Sequence, residues 1–443
     1  MNKKIEKIAG TIAALASARG PAGIAVIRVS GPLAKECFSK ITKKTPKHRS
    51  VYYTSFYGDN DKEIDKGMAL FFEGPNSYTG EDVIELSAHG SPAIVEMILN
   101  RIYALGAREA GPGEFTKRAY LNDKMDLAQA EAVADLIEST TSRTAMAAKR
   151  SLSGEFSLRV RGLSNKITET RALVEAMLDF SDQDLDETKH PEALLNKLDE
   201  AAQSFEALID QTRVGIMFRK GIVITIMGEP NVGKSSLFNK ICGNERAIVS
   251  NKAGTTRDIV SEDITIDGFP VRILDTAGLR YSDDEIEQEG VKRALEAGKS
   301  ADIVLEVINA SSWNKNNTHN DNILVLNKSD LLEKELEVDT KKTFLLSAKT
   351  GDGVDRLLDY IAGQFVHSDN SETSITARER HLHSIKEAYR AFCLAERHIA
   401  EKEALDLVAE ELLQAQNSLA EVTGEFTTED LLGEIFNSFC IGK

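Results

Sequence analysis

The chain has 443 residues, of which 42% are hydrophobic and 28% are charged, and its formal net charge is −16. This length allows two to four domains, and the composition is that of an ordinary soluble globular protein. The acidity excludes a protein that coats nucleic acid through its overall charge, because contacts to phosphates require clustered lysine and arginine.

Two runs of cations stand out against this acidity. The first covers residues 40–49 (KITKKTPKHR), and the second lies within residues 143–171. The cations of the second run are Arg143, Lys149, Arg150, Arg159, Arg161, Lys166 and Arg171. Taken alone, each run is more often a solvated surface than a binding site. The sequence leaves open which of them, if either, contacts a nucleic acid.

The cysteines are scattered along the chain and form no CxxC pair; they are Cys37, Cys242, Cys393 and Cys440. This usage is typical of a reducing compartment, so we predict a cytoplasmic protein. No apolar run is long enough to cross a bilayer, and we expect no membrane partner. Near the N-terminus, an alanine-rich run that contains Gly10 and Thr11 favours a first β-strand over a signal peptide.

The chain changes character three times. Residues 23–31, 68–74 and 82–90 have the composition of strands, and residues 91–107 have helical periodicity. We therefore predict an α+β domain over residues 1–122. Residues 123–215 and 373–443 show apolar positions at helical spacing, whereas residues 216–372 alternate short β-rich runs with helical ones. The predicted fold is a multidomain α/β protein in which a Ras-like P-loop G domain is inserted into a discontinuous helical bundle.

The clearest motif is GEPNVGKS, residues 228–235, which fits the pattern GxxxxGKS between a predicted strand and a helix. In this pattern the glycines let backbone N–H groups face the phosphates of a nucleotide. Lys234 then reaches the β- and γ-phosphates, and the Ser235 hydroxyl binds Mg²⁺. The nucleotide-binding residues predicted from this loop are Asn231, Val232, Gly233, Lys234, Ser235 and Ser236.

Two later motifs indicate which base is bound. Asn327-Lys328-Ser329-Asp330 follows a β-run, and a carboxylate at Asp330 can accept hydrogen bonds from N1 and the 2-amino group of guanine, which adenine does not offer. Ser347-Ala348-Lys349 is interpreted as the loop behind the base. The order of the motifs along the chain is that of GTPases, so we predict GTP rather than ATP.

Between these motifs lie the two predicted switch segments. Thr256, in NKAGTTRD, is expected to place its hydroxyl on Mg²⁺, and Asp275 is expected to hold Mg²⁺ through water. The second switch is Asp275-Thr276-Ala277-Gly278, and the Gly278 N–H would sense the γ-phosphate. Leu279 follows, where many GTPases carry a glutamine that orients the attacking water. Either the domain only binds nucleotide, or its catalytic parts come from elsewhere.

The motifs GEPNVGKSSLFN, IVSNKAGTTRD, DTAGLR and NKSD, together with the ending LLGEIFNSFCIGK, resemble the MnmE (TrmE) family of tRNA-modification GTPases. PNSYTGEDVIELSAHG and GPGEFTKRAYLNDKMDLAQAEAVADLI resemble the same family, so the resemblance covers essentially the whole chain. Two departures are visible. The family tends to carry TPPGRG where this chain has SARGPAG (17–23), and the segment before NILVLNKSD is short.

This resemblance implies a K⁺-dependent GTPase that acts with a flavoprotein partner (MnmG, or GidA). Together they would install an aminomethyl or carboxymethylaminomethyl group at carbon 5 of the wobble uridine of certain tRNAs. The one-carbon unit would come from 5-formyl- or methylene-tetrahydrofolate, bound by the folate-binding-like N-terminal domain. That domain would also mediate a homodimer, and the partner complex would be a heterotetramer or larger.

The resemblance also implies roles for individual residues. Asn231, Ser250, Lys252 and Thr255 would coordinate K⁺, Ser250 and Thr255 would also contact GTP, and Glu287 would position water. Arg28, Glu85, Lys124 and Lys443 would bind folate, and Cys440 would act in tRNA modification. Alternatives stay open at this stage: structural salt bridges for the folate set, a surface glutamate for Glu287, and either a nucleophile or a structural thiol for Cys440.

Two other functions compete with this interpretation. One is a ribosome-assembly or regulatory GTPase without its own chemistry, although such proteins usually append a basic RNA-binding domain. The other is a helical scaffold that carries a degenerate G domain. Intact Lys234, Ser235, Thr256 and Asp275 argue against the second.

Overall fold

The computed structural model describes residues 10–179, 189–244, 260–275, 301–313, 322–332, 336, 342–365, 374–401, 404–425 and 428–442. The chain divides into two compact units, both of which are discontinuous in sequence. The first unit consists of Met1–Ala134, Leu152–Ala201 and Glu387–Lys443, and the second of Asp135–Ser151 and Ala202–Lys386. Among the described residues, no helix is both long and apolar enough to cross a membrane.

The strands of the first unit are β1 (Ile12–Leu15), β2 (Ala22–Ser30), β3 (Val51–Tyr57), β4 (Glu63–Phe72), β5 (Val83–Gly90) and β6 (Arg108–Glu109). They form one sheet in the order β3-β4-β5-β2-β1-β6, which is antiparallel except for the β1–β6 pair. The predicted first strand and the three strands predicted in residues 23–90 are confirmed.

The described helices, in chain order, are α1 (Ala34–Thr42), α2 (Pro92–Ala104), α3 (Glu114–Leu121), α4 (Leu127–Glu138), α5 (Ser142–Leu152), α6 (Glu155–Asp179), α7 (Lys189–Lys220), α8 (Lys234–Cys242), α9 (Val354–Phe365), α10 (Glu379–Ala400), α11 (Leu405–Thr423) and α12 (Glu429–Asn437). The helix predicted over residues 91–107 corresponds to α2, which begins at Pro92 because proline suits the first turn of a helix.

The two faces of the first sheet differ, because successive side chains of a strand point to opposite sides. Val29 and Ile84 lie on one face and pack with Phe38 of α1 and Ile98 of α2 in a fully buried core. The other face carries Arg28, which is paired in register with Glu85. This second face, called the open face below, therefore carries charged side chains that can bind a polar ligand.

The helices of the first unit form a second core. The long helices α6 and α11 pack side by side, and Arg171 of α6 donates to the side-chain oxygen of Gln416 of α11 at 2.8 Å. Near the C-terminus, Leu432 and Phe436 of α12 are buried against Leu127 of α4. The predicted discontinuous helical bundle is thereby confirmed for the described residues.

The strands of the second unit are β7 (Ile222–Gly228), β8 (Val260–Ile266), β9 (Phe269–Asp275), β10 (Ile303–Asn309), β11 (Ile323–Asn327) and β12 (Thr343–Leu345). Their order in the sheet is β12-β11-β10-β7-β9-β8, and only β8 runs antiparallel to its neighbour. Parallel strands that alternate with helices confirm the predicted α/β domain. Such sheets bind ligands at the carboxyl ends of their strands.

The second unit also contains the segment Asp135–Ser151, which precedes the α/β sheet by about 70 residues in the chain. Asp135 is buried and accepts hydrogen bonds from Arg219 at 3.0 Å and from Arg378 at 2.9 Å. Thr141 donates to the carbonyl oxygen of Gly268, at the turn between β8 and β9, at 2.8 Å. The segment from Asp135 to Ser151 is therefore an integral part of the α/β unit.

Candidate functional site

The GxxxxGKS loop joins the end of β7 to the start of α8, as predicted. Gly228 has a φ of +147°, and a Cβ atom there would lie 2.2 Å from the Val307 carbonyl oxygen. Gly233 has a φ of +97°, and a Cβ atom there would lie 2.3 Å from Nδ2 of Asn327. Both positions therefore require glycine, for backbone conformation and for space.

Lys234 is buried inside this loop. Its ammonium group donates to the carbonyl oxygens of Gly228 and Glu229, each at 2.9 Å. Ser235 and Ser236 follow in the first turn of α8 and are exposed. Because free N–H groups and the helix dipole make the N-terminus of a helix attractive to anions, this turn suits a phosphate group.

Asn327, at the end of β11, joins the three nucleotide motifs. Its side-chain amide donates to the Val232 carbonyl oxygen at 2.9 Å, and its Oδ1 accepts from the Ala348 N–H at 2.9 Å. Only 2% of the residue is exposed. Asn327 was predicted as a nucleotide-binding residue, and the structure adds that its amide holds the glycine loop against the loop of Ser347-Ala348-Lys349.

Lys328 makes a second link between the motifs. Its ammonium group donates to the Asn231 carbonyl oxygen at 2.7 Å. Asn231 and Lys328 have φ angles of +62° and +66°, the left-handed region that asparagine adopts more readily than most residues. The backbone conformation at Asn231 leaves its own side chain exposed at the mouth of the loop.

The carboxylate of Asp330 is exposed and accepts a hydrogen bond from the Ser347 hydroxyl at 2.6 Å. Ser347 is fully buried, so it fixes the orientation of the carboxylate from behind. Lys349, two residues after Ser347, is exposed. A fixed, accessible carboxylate with a backing loop is the arrangement that reading a guanine edge requires.

The structure gives the backbone position of Asp275, which is predicted to hold Mg²⁺ through water. Asp275 ends β9 and is paired in register with Ile226 of β7, two residues before the glycine loop begins. Carboxylate and hydroxyl oxygens are hard ligands of the kind that Mg²⁺ prefers, and the Mg²⁺ roles of Asp275 and Ser235 stay predictions. The predicted roles of Ser250, Lys252, Thr255, Thr256, Thr276, Ala277, Gly278, Glu287 and Lys443 concern residues outside the described part of the chain and stay predictions.

A second cluster lies on the open face of the N-terminal sheet, around Arg28. Its guanidinium group bonds to Oε1 of Glu85 at 2.9 Å through Nε and at 2.8 Å through NH2. The same guanidinium lies 5.2 Å from the ring centre of Tyr78 and 5.7 Å from that of Phe115. Two of the predicted folate residues, Arg28 and Glu85, are thus brought together between aromatic rings.

The aromatic rings of this cluster are positioned by a buried ion network. Arg118, which is 2% exposed, donates to Glu81 at 2.9 Å, to Glu114 at 3.0 Å and to the Gly10 carbonyl oxygen at 2.8 Å. Burial raises the pKa of Glu114, but hydrogen bonds from Arg108, Gly111 and Arg118 outweigh it and lower that pKa below its ordinary value. Glu81 belongs to the Tyr78 loop and Glu114 to the Phe115 helix, so Arg118 ties the two together.

Sequence reasoning missed Arg118, Tyr78 and Phe115. The Tyr78 hydroxyl lies 2.9 Å from the Thr116 hydroxyl, and burial raises the pKa of Tyr78. The Glu114–Arg118 pair has the i,i+4 spacing of a helix pair and is a local signal within GPGEFTKRAYL. The contacts of Arg118 to Glu81 and Gly10 join distant segments, which no local pattern marks.

The remaining predicted N-terminal residues lie on neighbouring segments. Lys124 donates to the Pro75 carbonyl oxygen at 3.0 Å, at the start of the loop that carries Tyr78. Cys440 is exposed, and its carbonyl oxygen accepts from the N–H of Gly113, the residue before α3, at 3.3 Å. A Cβ atom on Gly442 would lie 2.1 Å from the Leu15 carbonyl oxygen. The C-terminal segment is thus closely packed on β1 and on the start of α3.

Comparison with known proteins agrees with this organisation. Residues 127–440 match the family model of the MnmE helical domain, and residues 11–124 match that of the GTP-binding protein TrmE N-terminus. The tRNA modification GTPase MnmE of Pseudomonas fluorescens is 44% identical over 98% of this chain and 99% of its own. Those of Ectopseudomonas mendocina and Pseudomonas putida are 41% and 43% identical over the same shares.

Among solved structures, the G domain of the T. maritima FeoB iron transporter is 25% identical over 33% of this chain and 99% of its own, with a TM-score of 0.25, and we base no argument on it. The full-length relatives and the family model that spans more than half of the chain decide the assignment. The chain belongs to the MnmE family of tRNA modification GTPases.

Proposed function

We propose that this GTPase hydrolyses GTP with the help of K⁺ and acts, with a flavoprotein partner of the MnmG/GidA type, on the wobble uridine of certain tRNAs. The product would carry a 5-aminomethyl or 5-carboxymethylaminomethyl group built with a folate one-carbon unit. One observation carries the proposal: a P-loop that Asn327 joins to the loop of Ala348 occurs in the same chain as a Cys440 segment whose backbone bonds to Gly113, the residue before α3.

Binding of GTP follows from the geometry of the described residues. Lys234 already points into the loop, and a β- or γ-phosphate oxygen can replace the carbonyl oxygens that it now contacts. Asp330, held by Ser347, accepts from the guanine edge. Adenine lacks those donors and would leave the carboxylate without partners, which is the kind of mismatch that gives strong discrimination.

Hydrolysis has to proceed without a glutamine at position 279. We propose that Asn231 contributes its side-chain oxygen to a K⁺ site completed by Ser250, Lys252 and Thr255, and that Glu287 positions the water. When bound, K⁺ would supply the positive charge that an arginine finger provides in other GTPases, and Mg²⁺ on Ser235 and Thr256 would neutralise phosphate charge. The exposed position of Asn231 supports this role.

GTP turnover is expected to be at least about 10-fold faster in KCl than in NaCl at matched ionic strength, because loss of a charge-neutralising group at the phosphates costs this much or more. Phosphate release by the purified protein is the measurement. Asn231→Gly, which keeps the left-handed backbone available, should remove the preference for K⁺ while GDP binding persists. Equal rates in both salts would contradict the cation-assisted mechanism.

We propose that folate binds at the Arg28 cluster. Glu85 can accept from the ring N–H groups of the pterin, and Arg28 holds that carboxylate in place through two hydrogen bonds. Tyr78 and Phe115 offer flat apolar surfaces beside it. Lys124 and Lys443 would meet the negatively charged glutamate tail. When bound, the folate would supply the one-carbon unit.

We also propose that a second copy of the chain covers the open face of the N-terminal sheet. Tyr53 of β3 is paired with Met68 of β4, and Val51 lies on the same face. They are 68%, 44% and 61% exposed. Adjacent apolar side chains of this size are typical of an interaction surface, which supports a homodimer.

Cys440→Ser is expected to leave GTP turnover unchanged and to eliminate modification of the wobble uridine, because serine keeps the size of the side chain but removes the thiol on which the proposed role depends. The readout is mass spectrometry of nucleosides from tRNA of cells that carry only the variant. Cys393→Ser, which changes another exposed cysteine, serves as the control. Normal levels of the modified uridine in the Cys440 variant would refute the role in modification.

A further inference from the structure

The structure distinguishes the two basic runs of the sequence. Most of the run in α5 and α6 is already engaged within the protein. Three of its arginines form ion pairs with carboxylates: Arg159 with Glu155, Arg161 with Asp126, and Arg171 with Glu175. Arg143 lies over the Phe269 ring, and Arg150 donates to the Ser374 carbonyl oxygen. This run has little charge left for a partner.

The first run is different. Lys40 lies in the last turn of α1, and Lys44, Lys47 and Arg49 lie in the connection from α1 to β3; all four are exposed. In the described part of the chain, none of the four forms a salt bridge, whereas the adjacent Lys43 pairs with Asp61 at 3.0 Å. Residues 37–58 contain no aspartate or glutamate. We call the four side chains the α1–β3 basic patch.

The connection that displays the patch has a defined shape. The Tyr52 hydroxyl accepts from the Lys47 N–H at 3.0 Å and donates to the Thr45 carbonyl oxygen at 3.1 Å. The Tyr52 ring packs edge-on against buried Phe38, with ring centres 5.4 Å apart. Arg49 is held by its N–H, which donates to the Phe71 carbonyl oxygen at 2.9 Å. The cations therefore project from an anchored loop.

In the described part of the chain, none of the four patch cations pairs with a carboxylate, although the Lys44 ammonium lies 5.8 Å from the Tyr52 ring centre. On a chain of net charge −16, such a patch is complementary to an anionic partner. The net negative charge of the protein repels anionic macromolecules from the rest of its surface. A basic patch therefore attracts a polyanion to one place and orients it there. RNA carries a phosphate at every nucleotide, and lysine and arginine contacts to phosphates give affinity without reading sequence. An acidic protein offers fewer charges per length and is the alternative that the test has to exclude.

We propose that the α1–β3 basic patch is a phosphate-contacting surface for the tRNA substrate. This inference rests on the proposed function, in which tRNA is the molecule modified. The patch would supply affinity and orientation through phosphates, and it would take no part in GTP hydrolysis or in the choice of tRNA.

The test compares two charge-matched variants of the full chain. The first replaces Lys40, Lys44, Lys47 and Arg49 with glutamine; the control replaces Lys149, Arg159, Arg161 and Lys166 with glutamine. Binding of a fluorescein-labelled unmodified tRNA transcript is followed by fluorescence anisotropy between 50 and 200 mM KCl. GTP turnover and circular dichroism are measured on the same samples to verify that both variants are folded.

The patch variant should show a slope of log affinity against log salt that is smaller by about 3, since each phosphate contact contributes about 0.7 to 0.9. The salt-dependent loss of wild-type affinity across this range should then exceed that of the variant by about 60-fold. The control should keep the wild-type slope, and all three proteins should hydrolyse GTP equally.

An unchanged slope in the patch variant, an equal decrease in the control, or no binding of tRNA by the wild-type protein would each overturn the proposal. Failure here is distinguishable from failure of the proposed function. If the wild-type protein shows K⁺-stimulated turnover and supports modification while the slope does not change, only the patch is refuted, and an acidic protein becomes its candidate partner. If patch-dependent binding occurs without any modification, the proposed function fails and the patch stands.

Discussion

Lys234→Ala is expected to abolish GTP hydrolysis, with a decrease in kcat/KM of at least about 1,000-fold, because the proposal places this ammonium group against the β- and γ-phosphates. The structure adds a second cost. The same group now satisfies the carbonyl oxygens of Gly228 and Glu229, so its removal also loosens the loop. Phosphate release at saturating GTP, with binding of a fluorescent GTP analogue, measures both effects.

Lys240→Ala is the matched control for this experiment, because Lys240 lies on the same helix, in its last turn, away from the glycine loop. It should turn over GTP at the wild-type rate. Undiminished turnover in Lys234→Ala would mean that the nucleotide loop is assigned to the wrong segment.

Arg118→Met is expected to destabilise the N-terminal domain by about 3–5 kcal/mol, since removal of one partner leaves buried charges uncompensated. Glu81 and Glu114 would lose the guanidinium that joins them, and the loop of Tyr78 would separate from the helix of Phe115. Hydrogen exchange of residues 75–121, read by mass spectrometry, reports this locally. Folate binding should weaken in parallel, while GTP turnover should persist.

Two further arms separate charge from packing at Arg118. The triple variant Arg118→Met, Glu81→Gln, Glu114→Gln should recover part of the lost stability, because it removes the buried charges together.

In the wild-type protein the pKa of Glu114 is lowered by folding. The contribution of ionised Glu114 to the free energy of unfolding is therefore complete above the ordinary glutamate pKa of about 4.3. It is lost as the pH falls through the lower pKa that Glu114 has in the folded protein. Equal protection of wild type and Arg118→Met at pH 7 would refute the network.

The sequence predicted those parts of the structure that depend on neighbouring residues. The strands around Arg28 and Glu85 follow from β-type composition between glycine and proline, and the P-loop follows from the spacing of Gly228 and Gly233. The guanine-reading role predicted for Asp330 rests on its place after a strand and stays a prediction, while the position of Asp330 shortly after β11 is confirmed. These inferences need only local periodicity and motif chemistry.

The parts that the sequence did not predict depend on contacts across the chain. Asn327 bonds to groups 95 and 21 residues away, and Arg118 reaches Gly10, 108 residues away. A list of charges does not show that most cations of the second run are engaged by the protein, whereas Lys40, Lys44, Lys47 and Arg49 of the first run form no salt bridge in the described residues. The sequence alone does not distinguish an arginine that pairs with a distant glutamate from an arginine that is exposed to solvent.

The inclusion of Asp135 in the α/β unit has a consequence for synthesis on the ribosome. Arg219, the first partner of Asp135, is synthesised 84 residues after it, and Arg378, the second partner, 243 residues after it. At about 5–20 residues per second, the second partner follows roughly 12–50 seconds after Asp135 has been made. During that interval Asp135 lacks its second arginine, and Ser151 lacks Thr376, which follows it by 225 residues. The segment Asp135–Ser151 therefore completes its contacts only after nearly the whole α/β unit has been synthesised.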